Sequence, residues 1–83
     1  MNFQDIAQAL VSTAEEEGLP VTDCNGNPTI QNGLRSMGLV VSGDYDISFY
    51  FKDHLYGPAL RIQRETDLDA AFSCGLDFIY AGN

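Results

Sequence analysis

Side chains able to do nucleophilic or metal chemistry are few: one histidine, His54, and two cysteines, Cys24 and Cys74. The cysteines stand fifty positions apart, neither in a CxxC pair, so no zinc site and no cysteine–histidine couple is legible. Two idle thiols in a reducing compartment are favoured over one disulfide, and the spacing does not say whether they meet in the fold. His54, in "KDHLYG", reads as a solvated loop side chain, with a pH-sensitive contact as its functional alternative. "DCNGN" has the flavour of a calcium loop, but its glycine falls at the fourth position and no glutamate stands twelve along. Gly26, Gly43 and Gly57 are scattered singly and make no phosphate-cradling loop. No cofactor and no metal are expected.

Carboxylates are the abundant functional group, twelve against four basic residues, for a formal charge of −8. Paired acids could do general acid–base work if burial separated their pKa values. Here they fall at helix ends, turns and a polar strand face, with no recurring histidine or hydroxyl beside them, and an enzyme is not expected. The charge also argues against direct binding of nucleic acid, which needs Lys and Arg to displace counterions, and against an anionic membrane surface. It favours encounter with a basic protein surface, steered by a field that salt weakens; the plainer alternative is solubility alone.

The sharpest pointer is "TAEEEGLP". Glu15, Glu16 and Glu17 stand at the carbonyl end of a helix, where the macrodipole and their mutual repulsion both disfavour them. A frayed, solvated end would reduce that cost, and glutamate is a good helix former. Asp23, Asp44 and Asp46 are candidates to join the same acidic surface. Tyr50 is a candidate anchor, since strand alternation takes it off the core side with Arg61 or Gln63 opposite; an ordinary cross-strand pair is its structural explanation.

The elements that must position these groups follow from periodicity. Phe3, Ile6, Ala7, Leu10, Val11 and Ala14 form one helical stripe over about residues 3–17, with Asn2 as cap, Asp5 in the first turn and Gly18 with Pro20 at the stop. Residues 28–37 are ambiguous: Asn27-Pro28 suits a helix start and Ile30, Leu34 and Met37 fall at helical spacing, while Asn25-Gly26 and Asn32-Gly33 read as turns. A short helix is predicted there, with a hairpin as its rival. "LVVSGDYDISFYFKD" predicts two strands turning at Gly43-Asp44, with Tyr45, Ile47, Phe49 and Phe51 on one face and Asp46, Ser48, Tyr50 and Lys52 on the other. After a break at Gly57-Pro58, "ALRIQRE" predicts a third strand with Leu60 and Ile62 inward and Arg61 and Gln63 outward. Thr66 and Asp69 stand at capping-box spacing before a last helix whose face carries Leu68, Ala71, Phe72, Gly75, Leu76 and Ile79, closed by Gly82.

Residues 1–83 thus predict a single acidic α+β domain, a two-layer sandwich in the order α-(short α)-β-β-β-α, with a three-stranded antiparallel sheet packed on the N- and C-terminal helices. No run of 18 apolar residues occurs and "MNFQDIAQ" lacks the marks of a signal peptide, so a cytoplasmic protein is expected. The expected function is non-enzymatic: binding a basic, nucleic-acid-handling protein and blocking its phosphate-binding surface, as a monomer or homodimer. In size and charge alone the chain is similar to small acidic inhibitors of phages and mobile elements, such as anti-restriction and anti-CRISPR proteins. The alternative is a small adaptor or homo-oligomer that associates through its sheet.

Overall fold

The computed structural model describes residues 1–24, 26–54 and 59–81, without the side chains of Cys24 and Ala59. Asn25, the Gly57-Pro58 break and the Gly82 stop lie outside the described residues, and so does any contact of the Cys24 thiol.

Helix α1, Phe3–Glu16, forms as its stripe predicts and buries Phe3, Ile6, Ala7, Leu10 and Ala14. Both of its ends are locally encoded. At the start, the Asn2 side chain accepts from the Asp5 amide at 2.9 Å and the Asp5 carboxylate accepts from the Asn2 amide at 3.2 Å, a reciprocal capping box. At the end, Gly18 turns left-handed (φ +79°), and the amides of Leu19 and Gly18 reach back to the carbonyls of Ala14 and Glu15. That closes a Schellman motif with half-buried Leu19 as its apolar plug.

Five strands follow as an antiparallel meander: β1 Val21–Cys24, β2 Asn27–Asn32, β3 Arg35–Ser42, β4 Asp46–Asp53 and β5 Ala59–Glu65, in spatial order 1-2-3-4-5. The predicted antiparallel sheet and two helices are present, but the sheet has five strands where three were expected. The short helix predicted over 28–37 is a β2–β3 hairpin. Ile30 and Met37 are cross-strand partners on the buried face, and Leu34 is an exposed turn residue. Their helical spacing is a coincidence of hairpin geometry. Gly33, at φ +64°, supplies the positive angle of the two-residue turn, a conformation no helix interior contains. Pro28 is tolerated in β2 because it lies beyond the β2–β3 ladder, which starts at Thr29–Gly38, and pairs only with Asp23 of β1.

On β4 the alternation holds: Ile47 and Phe49 are fully buried and Phe51 half-buried, while Tyr45 has left the strand for the turn and is 82% exposed. On β5 the predicted faces are reversed. Arg61, Gln63 and Glu65 pair with Phe51, Phe49 and Ile47 and so share their face, whereas Leu60 and Ile62 point the other way and are 57% and 56% exposed. The partner strand, not the composition of β5, sets its register, and a shift of one residue exchanges the faces.

Helix α2, Leu68–Ile79, follows β5 directly and buries Ala71, Gly75, Phe78 and Ile79. Its cap residue is Asp67, without a side-chain hydrogen bond, so the Thr66–Asp69 box is not made. The two helices and the apolar side of β2, β3 and β4 enclose one core, with Leu10, Ile30, Met37, Leu39, Ile47, Phe49 and Ile79 at its centre. Leu10 meets Gly75, and farther along Glu17 meets Tyr80, so the helices run in the same direction. No helix is long and apolar enough to cross a membrane among the described residues.

Candidate functional site

Parallel helices bring two C-termini to one end of the molecule. Glu15, Glu16 and Glu17 occupy the last turn and cap of α1, all exposed. Tyr80 caps α2, and its hydroxyl donates to Glu17 Oε1 at 3.3 Å. Neither helix has a basic residue in its last turn, so the partial negative charge of each terminus, capped only by neutral amides, meets no cationic side chain of its own helix beside the glutamates. Lost hydration, and then the charges of Glu17 and Glu16, hold the Tyr80 phenol above its ordinary pKa, so it stays a donor. Among the described residues the ion pairs are Arg35–Asp53 and Arg64–Asp46, and neither involves the triplet.

Asn32, at the end of β2, secures the second helix at this same end. Its side-chain amide donates to the carbonyls of Phe78 (3.0 Å), Ile79 (3.4 Å) and Ala81 (3.2 Å), adding to the Ala81 amide that already reaches the Phe78 oxygen. Sequence reasoning counted Asn32 only as half of a turn and did not single out Tyr80. Both act across more than forty residues of chain, and no local pattern signals that.

The remaining predicted residues do not gather here. Val21, Ile30, Met37, Phe51 and Arg61 form one row across the sheet, and α1 delivers the chain to that row through Leu19-Pro20. Asp44 sits in the β3–β4 turn, beyond Ser42, five residues or roughly 17 Å up the strand from Met37. Asp23 is exposed on the edge strand β1, on the Asp44 side of the row. Asp46 is 8% exposed, and its Oδ2 takes both Nε (2.6 Å) and Nη2 (2.5 Å) of Arg64. A carboxylate already neutralised within its own chain offers little to a partner, which removes Asp46 from the acidic surface. Tyr50 stands half-buried on the sheet face away from the helices, between Gly38 and Ile62 rather than beside Arg61 or Gln63.

Reversal of the β5 faces creates a second feature. α2 leaves the sheet edge at β5 and ends against Asn32 of β2, so its later turns do not cover the polar side of β5. A cleft of about 730 Å³ opens there, with Phe51 on its floor and Ser73, Cys74 and Asp77 on its helical wall. The Arg61 guanidinium lies 4.3 Å from the centre of the Phe51 ring and donates to Gln63 Oε1 at 2.7 Å. Gln63 Nε2 in turn donates to Glu65 Oε1 at 3.0 Å. Burial, then the Glu65 charge, pushes the Cys74 thiol up, which disfavours its thiolate form. No group of three side chains suited to a metal ion converges among the described residues.

Comparison with known protein families, curated proteins and solved structures returns no match to this chain.

Proposed function

We propose that the protein is a non-enzymatic interaction protein whose acidic helix-terminal end docks on a basic, nucleic-acid-handling protein and blocks its phosphate-binding surface. The observation that supports this reading is the convergence of three adjacent glutamates, none in an ion pair among the described residues, with two helix C-termini. Such a grouping destabilises the fold by about 0.3–1 kcal/mol per badly placed charge, a large fraction of the margin of a small domain. Against a cationic partner the same charges become attractive, and the phenol of Tyr80 adds a rigid contact with a polar tip. Asp23 and Asp44 strengthen the long-range field without joining the contact. An inhibitor encoded by a phage or mobile element is the biological setting in which this reading fits best.

The test is capture from host-cell extract on immobilised protein, at low salt and again at about 0.15 M, with duplex DNA as competitor. A basic protein retained at low salt, released by salt and displaced by DNA is the expected result. Replacing Glu15, Glu16 and Glu17 together with glutamine should abolish the capture while leaving the melting temperature unchanged or slightly raised. Capture that persists undiminished in the triple variant would refute the reading.

A further inference from the structure

β5 is an edge strand, paired on one side with β4 and with no other strand beside it among the described residues. Such an edge presents unpaired backbone donors and acceptors, and proteins commonly blunt it by shortness, proline or a bulge. β1, the opposite edge, is only four residues long, whereas β5 runs seven. Charged side chains also discourage pairing with an arbitrary strand, and those of β5, Arg61 and Glu65, stand in an order that fits the strand's own reverse.

We infer that two copies of the chain associate antiparallel through β5, on a two-fold axis at Gln63. In that register Arg61 stands opposite Glu65 of the second copy, Gln63 opposite Gln63, and Glu65 opposite Arg61, so one strand supplies both halves of two ion pairs. Isologous closure of this kind needs a patch that complements itself, and Arg-x-Gln-x-Glu centred on its glutamine is such a patch. The three side chains are held on one face by their own chain of hydrogen bonds, so little ordering remains to be done on association. On the reverse face, Ile62 of each copy meets Arg64 of the other and lies diagonal to its Ile62, which begins to cover the exposed apolar pair Leu60 and Ile62.

Charge favours this edge over any other meeting point of two copies. The chain carries −8, yet β5 holds two of its four basic residues and one acid, so the approaching strands are the part least repelled. β5 also lies across the sheet from β1, to which the Glu15–Glu17 end is joined, so the dimer leaves that end of each copy free. The inference therefore does not depend on the proposed function.

Sedimentation equilibrium over a wide concentration range tests it. The wild-type chain should fit a monomer–dimer equilibrium. Arg61→Glu or Glu65→Arg alone sets like charges opposite each other twice and should weaken the dimer by roughly 10- to 100-fold. The double exchange, Arg61→Glu with Glu65→Arg, should restore it, since it rebuilds both the cross-copy pairs and the ladder through Gln63 in the opposite sense. Circular dichroism separates lost pairing from lost folding, and the double variant serves as the folded control. A chain monomeric at every concentration would overturn the inference. So would single variants that dimerise like the wild type, or a folded double variant that stays monomeric.

Discussion

Leu10 of α1 closes directly over Gly75 of α2: a Cβ built on Gly75 would collide with both methyl groups of Leu10, and Leu10 is wholly buried. The contact fixes how near the two helices lie, and with them the two C-termini that form the acidic end. Glycine inside a helix costs about 1 kcal/mol relative to alanine, so close approach is what justifies it.

Gly75→Ala should therefore destabilise the fold despite its better helix propensity. Overpacking of about 1–3 kcal/mol outweighs a propensity gain of about 1 kcal/mol, and each net kcal/mol lowers the melting temperature of a domain this size by roughly 4–8 °C. In a Leu10→Ala background, itself destabilised by about 2–5 kcal/mol, the same alanine should be neutral or stabilising because it fills vacated space. Thermal melts of the four-member cycle read this directly, and additive effects would contradict the contact.

Asp46 and Arg64 give a different kind of asymmetry. Both guanidinium bonds go to Oδ2, while Oδ1 is buried without a hydrogen-bond partner among the described residues. Arg64→Met should cost about 1–3 kcal/mol by leaving a buried carboxylate uncompensated. Adding Asp46→Val should recover most of that loss, as expected where the pair contributes little net stability. Urea midpoints of the wild type, single and double variants provide the measurement.

Asn32→Ala should cost about 1–2 kcal/mol, because the carbonyls of Ile79 and Ala81 lose the side-chain amide they share with Phe78. Hydrogen exchange should locate the damage in the last turn of α2. An effect spread evenly over β2 and β3 would assign Asn32 to the hairpin instead.

Tyr80 predicts a pH dependence. Its folded-state pKa is raised by lost hydration and by Glu17 and Glu16, so the folded chain holds the phenolic proton more tightly than the unfolded chain does. That contribution to stability is complete below the ordinary tyrosine value near 10 and is lost as pH rises through the folded-state value. The Tyr80 phenolate, isolated as the absorbance difference from a Tyr80→Phe variant, should form late, and Glu17→Gln should move it toward the ordinary range. An unchanged titration would place the hydroxyl away from Glu17.

How much of this was open to a reader of the chain depends on the range over which each contact acts. The Glu15–Glu17 triplet was legible as a poorly placed acidic helix end, because Gly18 and Pro20 mark the stop within a few residues. That Tyr80 and a second helix terminus stand beside it was not, since the contact joins residues sixty-three apart. Asp46 looked like an exposed acid of a polar strand face, and only the β4–β5 pairing brings Arg64 to it.

By itself the sequence determined α1 with its Asn2–Asp5 box, the turn at Gly43, the buried face of β4 and most of the buried face of α2. Each of these is written in 3.6- or two-residue periodicity and in caps that satisfy backbone groups a few residues away. The tertiary structure alone decided that residues 28–37 pair as a hairpin and that β5 turns Arg61, Gln63 and Glu65 toward the helices. It also decided that both helices end together. In those places the local pattern admits two answers, and the choice falls to registers and packing contacts between segments distant in the chain.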